Sequence, residues 1–515
     1  MRETRGLVCS RVRDRSYNRR VRSVVAALVA AGLLVLSFPP FGWAFLAVPA
    51  VALFLWTLRS GRRPALAGWI FGLAFLSGLI WWVSRLGFIA FAPLAGVFSL
   101  YFLAYGWLLG KAAGWSAPRW WLAVVGGWAL AEFARVRFPV GGFEWGLLGY
   151  PMAEYAWTRG AAQWIGTSGW GVVLAATAAG LVVAIETDFI TRLLWVPVVV
   201  TAGLVAAGAL FPPHPEGAEF RVAIVQGSTP CPLTHCPGER FGTFQQHLAL
   251  TRTIAPGSVD LVVWSEGSTG GLDADPVLHP EVGAAIGDEA ARIGAYLLAG
   301  GDRPVSDTHW INANVVFTPE GQVLGEYRKR HPVPFGEYIP ARPLFEWIPE
   351  LAQVPRDMIP GDGPLLFQMG SALVGSVISF EGAFARYPRD TAAIGAQLLV
   401  VATNEGSYNF TPVSDQFIGM TRMRAAELGM DVVHSAVTGK STFLIDGGKI
   451  GEVADFTEQK VITATLHLRQ QGRTFYTMAG EWLPALALAG LVLASLHRCP
   501  VLPGFVRTRV TSLKS

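Results

Sequence analysis

Charge is scarce in this chain: Asp, Glu, Lys and Arg make up 15% of its 515 residues, against roughly 25% in ordinary soluble domains. Cysteine is scarcer, four in all, which excludes a disulfide-dense scaffold. Lysine occurs six times beside 35 Arg, so a Lys standing among arginines suggests that a compact, tunable ammonium is wanted there. Apolar residues fill the space these deficits leave. They make up 52% of the chain, with 19 Trp, 30 Phe and a mean hydropathy of +0.39. A disordered chain and a simple cytosolic enzyme are both excluded.

The net charge of +4 averages unlike segments. Residues 1–23 carry eight Arg and two acids. Residues 24–211 are a series of apolar runs with about fifteen charged residues, whereas 212–478 have the composition of a soluble domain, with about 19 basic and 29 acidic residues. A last apolar run, 481–496, precedes a tail, 497–515, bearing Arg498, Arg507, Arg509 and Lys514. The candidate soluble domain is therefore acidic, and no nucleic-acid partner is expected.

The apolar runs fall near 24–38, 42–58, 65–84, 88–110, 120–134, 162–185, 192–211 and 481–496, lengths suited to membrane spans. The first two are short and joined by Pro39-Pro40-Phe41-Gly42, which suits a tight or partly re-entrant hairpin. The first also has the look of a signal peptide, but more runs follow directly and no small-residue cleavage site does. Cations concentrate on one side: the N-terminal arginines, Arg59, Arg62, Arg63, Lys111, Arg119, Arg192 and the tail. The opposite loops hold only Arg85, Arg135, Arg137 and Arg159. The positive-inside rule then predicts a polytopic α-helical membrane protein with 212–478 on the outer face, tethered at both ends. The loop around Arg135–Tyr155, with Phe143, Trp145 and Tyr150 and followed by Trp157, reads either as an interfacial aromatic belt or as the lining of a lipid path.

Within 212–478, β-branched runs alternate with helical stretches. Strands are predicted at Arg221–Gln226, Leu261–Trp264, Tyr296–Ala299, Asn314–Phe317, Leu373–Ile378, Leu398–Ala402 and Val432–Ala436, with further strand-like pieces at Ser441–Ile445 and Val461–Leu466. Helices are predicted at Glu239–Thr253, Pro280–Ile293 and Asp415–Gly429. This pattern indicates a layered α/β domain, whose chemistry belongs at strand ends. Three such ends carry suggestive residues: Trp264-Ser265-Glu266, the run from Tyr327 through Lys329 to Gly336-Glu337, and Ser376-Val377-Ile378-Ser379-Phe380-Glu381. Cys231 and Cys236 stand close together on the expected outer face, where a disulfide is anticipated and a pair of free thiols is the alternative. A metal site with His235 lacks further ligands at useful spacing. His247, His309 and His434 read as structural. Pro343–Pro364, with Phe345, Trp347 and Ile348, reads as a mobile cover over the site or as a packed loop.

The order and spacing of these three motifs resemble the carbon–nitrogen hydrolase (nitrilase) superfamily. With seven apolar runs before the domain and one after, the whole chain resembles the apolipoprotein N-acyltransferase family. Val225-Gln226-Gly227, Thr403-Asn404-Glu405 and the Met423–Glu427 stretch add support. The resemblance implies a nitrilase-like αββα sandwich outside a bacterial inner membrane and a Glu–Lys–Cys triad falling on Glu266, Lys329 and position 379. Glu266 would be general base. Lys329 and the backbone N–H of Phe380 would hold the oxyanion, while Glu337 and Glu381 would orient Lys329 and the incoming amine. It implies an acyl-enzyme reaction that takes an acyl chain from a glycerophospholipid to the α-amine of a diacylated lipoprotein, with no cofactor; a monomer is a separate expectation that the resemblance does not carry.

Position 379, however, is Ser, and none of Cys9, Cys231, Cys236 and Cys499 lies near it in sequence. An alcohol is a far weaker nucleophile than a thiol, and an oxygen ester reacts with amines more slowly than a thioester. Three readings stay open: an engineered replacement that inactivates a catalyst, a natural homologue using Ser weakly, and a homologue that has lost catalysis and serves as a membrane partner or lipid-binding protein. A membrane-tethered amidase is a further alternative, disfavoured because small soluble substrates need no membrane embedding. The arm holding Cys231 also lacks the Trp common in the family, leaving its substrate contacts open.

Overall fold

The computed structural model describes residues 21–186, 191–213, 215–232, 236–271, 274–470 and 472–496, without the side chains of 186 and 191–195. Most of the basic N-terminal segment, the tail with its four cations, Cys9, Cys499, His235 and the Arg192 side chain lie outside the described residues.

Helices α1 (Val21–Leu36), α2 (Ala47–Ser60), α3 (Pro64–Leu79), α4 (Phe88–Ala112), α5 (Ala117–Arg135), the single turn α6 (Ala156–Arg159), α7 (Ala162–Glu186) and α8 (Thr191–Leu210) form the first region. By length and composition, two helical stretches suffice to cross a membrane, Phe88–Ala112 and Ala162–Ile185. The other apolar helices are shorter, and α5 carries Arg119, Glu132 and Arg135. Small residues let the helices approach closely. A methyl group at Gly68 of α3 would sit 2.1 Å from the carbonyl oxygen of Phe102 on α4, and one at Gly106 would sit 2.3 Å from that of Pro64. Helix α7 kinks at Gly166, whose φ of 66° leaves the helical region and whose missing side chain makes room for the Tyr476 ring.

The second region is built from two sheets. Strands β1 (Glu219–Gln226), β2 (Leu261–Trp264), β3 (Tyr296–Pro304), β4 (His309–Phe317), β5 (Val323–Arg328) and the short β6 (Asp357–Met358) belong to the first; β7 (Leu366–Met369), β8 (Ala372–Ile378), β9 (Leu398–Thr403), β10 (Val432–Ala436), β11 (Ser441–Ile445) and β12 (Lys449–Ala454) form the second. The last strand, β13 (Lys460–His467), returns to the first sheet, whose order is β13-β1-β2-β3-β4-β5 with β6 on β4. The second runs β12-β11-β10-β9-β8-β7. The parallel runs β1–β2–β3 and β8–β9–β10 lie within these sheets and are apolar on both faces, as doubly covered strands must be. Val222, Val263 and Leu298 of one sheet meet Val374, Val400 and Val433 of the other, each buried side chain contributing roughly 1.5–3 kcal/mol.

Helices α9 (Glu239–Thr251) and α10 (Pro280–Ile293) cover the first sheet. The turn α11 (Phe380–Ala383) and helices α12 (Arg386–Ala393) and α13 (Val413–Leu428) cover the second, and α14 (Phe475–Ala479) leads into α15 (Trp482–Leu496). The result is an αββα sandwich. Strands β3 and β4 run longer than their apolar cores suggested, because the polar residues Asp302 and Asn312 continue the ladder as cross-strand partners.

The sandwich is more than tethered to the first region. Phe384, Phe417 and Met420 share one apolar core with Phe75, Leu79, Trp145 and Tyr150. The belt reading of the 135–155 loop therefore fails for Phe143, Trp145 and Tyr150, which are buried; Tyr155 and Trp157 remain exposed. Trp145 stacks on Phe380 with ring centroids 6.1 Å apart. The charges of α5 serve this loop: Glu132 accepts from the Leu148 N–H (2.8 Å) and Arg135 donates to the carbonyls of Phe143 and Trp145.

Gln416 on α13 ties the two regions together. Its Oε1 accepts from the indoles of Trp82 (3.1 Å) and Trp145 (2.9 Å), and its Nε2 donates to the carbonyls of Pro39 (3.3 Å) and Leu79 (3.1 Å). Gln416→Leu keeps the bulk but strands buried polar groups, and is expected to destabilise the chain by about 2–4 kcal/mol. Thermal unfolding in detergent measures this; an unchanged midpoint would show that the two regions are held by apolar packing alone.

Candidate active site

The strand pleat sets one face of the first sheet against the second. Leu298, Val316 and Tyr327 point into the space between the sheets, so the alternation of side chains brings Asp302, Asn312 and Lys329 to that same face at one end. Asp302 and Asn312 are cross-strand partners, and the Lys329 N–H donates to the Asn312 carbonyl (2.9 Å). Lys329 is 1% exposed. Its Nζ donates to Glu337 Oε1 (2.6 Å) and Glu266 Oε1 (3.1 Å). Glu266, just past β2, also accepts from Asn312 Nδ2 (2.8 Å), while Glu337 accepts from the Val333 N–H (2.7 Å). Burial by itself would depress the Lys329 ammonium, but Glu266 and Glu337 outweigh it and hold the pKa above the usual lysine value. Burial pushes the Glu337 carboxyl up while Lys329 pulls against it.

The second sheet contributes an elbow. β8 ends at Ile378, and Ser379 turns the chain into α11 with φ 52° and ψ −119°, a conformation costing a non-glycine residue about 1–3 kcal/mol. Its N–H donates to the Ala402 carbonyl (2.7 Å) and its carbonyl accepts from the Gly382 N–H (2.9 Å), which hold the strain in place. A side chain on such a strand-to-helix turn is presented outward, as nucleophiles are. Among the described residues neither the Ser379 hydroxyl nor the Phe380 N–H has a hydrogen-bond partner.

Glu381 joins the two motifs. Its carboxylate accepts from the N–H groups of Ile378 (2.8 Å), His331 (3.0 Å) and Arg330 and from the Tyr327 hydroxyl (2.8 Å). It thereby links the Lys329 segment to the Ser379 elbow, while of Glu337 and Glu381 it is Glu337 that bonds the Lys329 ammonium. Asn314 adds a second link, donating to Ser376 Oγ (2.7 Å). All three motifs thus meet at one end of the sandwich. Asn312 and Asp302 were missed in the sequence; the available signal was two polar side chains on the inward face of otherwise apolar strands.

Cys231 and Cys236 form a disulfide, and no cluster fit to hold a metal occurs among the described residues. His247 is structural: Nε2 accepts from the Gly227 N–H (3.2 Å) and Nδ1 donates to the Thr243 carbonyl (2.8 Å). His331, inside the Lys329 motif, packs on Phe380 and meets the Tyr387 hydroxyl at 2.8 Å. Burial lowers the pKa of His247 to about 4, and burial, with Arg386 and Lys329, lowers that of His331 to about 3. Below pH ~6.5 the unfolded chain binds protons that the folded chain refuses, so stability falls as pH falls, from about 6.5 toward these values. At pH 5 the loss is expected to reach at most about 2 kcal/mol for each group. His247→Gln should flatten this slope of unfolding midpoint against pH; an unchanged slope would show that His247 does not carry it.

Residues 30–180 match the family described as apolipoprotein N-acyltransferase N-terminal domain, and 221–474 match carbon-nitrogen hydrolase. The chain is 30% identical to an apolipoprotein N-acyltransferase of Methylococcus capsulatus, covering 92% of this chain and 95% of that one. It is 27% identical to one of Geobacter metallireducens, covering 91% and 94%. Among solved structures it is similar to an amidase from Nesterenkonia sp., with a TM-score of 0.36 and 14% identity over 50% of this chain and 95% of that one. The sandwich is a nitrilase-like α/β domain, and the chain belongs to the apolipoprotein N-acyltransferase family.

Proposed function

We propose that this protein moves an acyl chain from a membrane glycerophospholipid to the α-amine of the diacylglyceryl-cysteine that begins a lipoprotein, through an acyl-enzyme at position 379. Glu266 takes the Ser379 hydroxyl proton as Oγ attacks the ester carbonyl. Lys329 and the Phe380 N–H stabilise the oxyanion, and the lysophospholipid leaves with the proton from Glu266. The amine then attacks the serine ester and gives a proton to Glu266, which passes it to Oγ as the acyl–oxygen bond breaks and Ser379 is restored. No cofactor enters, and a monomer suffices. The observation that carries this reading is the Lys329 ammonium held between Glu266 and Glu337 and clamped through Glu381 to the Ser379 elbow. The seven apolar helices before the sandwich and α15 after it are the eight spans of a bacterial inner-membrane protein, with 212–478 outside. The cation asymmetry of the loops supports this orientation, and so does the Cys231–Cys236 disulfide, since such bonds persist in oxidising compartments.

The test is mass spectrometry of the peptide bearing position 379 after incubation with phosphatidylethanolamine, in the unaltered chain and in Ser379→Cys. Acylation at 379 in the Cys variant, discharged by a diacylated lipopeptide, is the expected result. No adduct in either form would sink the catalytic reading in favour of a non-enzymatic membrane partner.

A further inference from the structure

Three carboxylates gather where there is one ammonium. Glu266 and Glu337 share Lys329, and Asp302 stands beyond Asn312 in the same cross-strand row. β3 comes very close to Glu266: a methyl group at Gly300 would lie 2.7 Å from the Glu266 Cα. Hydrogen-bond acceptors also outnumber donors here. Asn312 is 3% exposed, and with its Nδ2 spent on Glu266 its Oδ1 has no partner among the described residues; Asp302 Oδ1 is likewise shielded and unpartnered. Buried oxygens without donors are costly unless something fills them. Two unpartnered acceptors on neighbouring cross-strand residues, one of them bonded to the Glu266 carboxylate through its amide nitrogen, in a site short of positive charge, fit a primary ammonium.

We infer that Asp302 Oδ1 and Asn312 Oδ1 form the site that receives the α-ammonium of the acyl acceptor next to Glu266. This rests on the acyltransferase reading above and deepens it. Asp302 takes the ammonium as an ion pair, Asn312 fixes its direction, and the proton passes from nitrogen to the Asp302 carboxylate. The neutral amine then attacks the acyl carbonyl. Burial pushes the Asp302 carboxyl up to about 7; of the charged groups facing it, Glu266 and Glu337 add to this and Lys329 and Arg240 oppose it. An acid titrating there can accept a proton from an α-amine of ordinary pKa ~8.

The experiment measures binding of a synthetic diacylglyceryl-cysteinyl peptide with a free α-amine and of its N-acetyl counterpart to the full chain in nanodiscs. At pH 7.5 the free amine is expected to bind at least ~10-fold more tightly. At pH 5.5 that preference should vanish although the amine is then fully cationic, because the protein's acid has been neutralised. Asp302→Asn should abolish the preference at pH 7.5 and leave binding of the acetylated peptide unchanged. A preference absent from the unaltered chain, constant with pH, or retained in Asp302→Asn would overturn the site. So would equal losses of binding by both peptides. Binding does not require residue 379 to react, so failed acylation would reject the proposed function while the amine preference still reports on Asp302.

Discussion

Ser379→Cys is expected to raise the rate of acyl-enzyme formation by at least ~100-fold. The elbow geometry comes from the backbone, through the Ser379 N–H on Ala402 and the Gly382 N–H on the Ser379 carbonyl, so a one-atom change leaves it intact. What changes is the nucleophile. A thiol of pKa ~8.5 is partly ionised near neutral pH and attacks readily once deprotonated, whereas an alcohol needs its base to remove the proton during attack. In this structure the Glu266 carboxylate is already engaged by Lys329 and Asn312, and the Ser379 hydroxyl has no hydrogen bond to it. The second half-reaction should gain as well, because a thioester yields to amines faster than an oxygen ester. Single-turnover acylation followed by lipopeptide chase separates the two steps. A Cys variant no faster than the unaltered chain would mean that the site is not arranged for acyl transfer.

Lys329→Met is expected to lower acylation in the Ser379→Cys background by about 10²–10³-fold, the usual cost of an oxyanion donor. It is also expected to cost about 3–5 kcal/mol of stability, because Glu266 and Glu337 are left as adjacent buried carboxyls without their cation. The two effects come apart in Lys329→Met/Glu337→Gln. Removing one carboxylate relieves repulsion and should recover much of the unfolding midpoint, while acylation stays low because no cation faces the oxyanion. Recovery of both would show that Lys329 matters only as a counter-ion; recovery of neither would mean that Glu337 is needed for folding in its own right.

Much of the candidate site could be read without coordinates because its chemistry sits at the ends of short apolar strands. Leu261–Trp264 announces the position of Glu266, and Leu373–Ile378 that of Ser379, since buried parallel strands are continuous apolar runs and the residues just past their ends face the site. Lys329 stood out by composition, as one of six lysines placed between two arginines. The acidic balance of 212–478 was equally legible, and it turned a basic protein into a basic-looped region joined to an acidic domain.

Asn312, Asp302 and Gln416 were not legible in the same way. Their roles depend on pairings between residues far apart in the chain: Asp302 across from Asn312, Asn312 on Glu266, Gln416 on Trp82 and Trp145. The 135–155 loop shows the same limit. Its aromatics suit a membrane interface by composition, yet Trp145 lies against Phe380, beside the elbow, because two apolar surfaces distant in sequence bury each other. Most of the buried strands, the charge division and the residue types at the strand ends depend on local periodicity and composition, and so could be read from the chain alone. Tertiary structure decided which carboxylate holds Lys329, which one clamps the strand ends and which acceptors remain unfilled. Hydrogen bonds act over about 3 Å, and only the folded chain brings these groups within that reach.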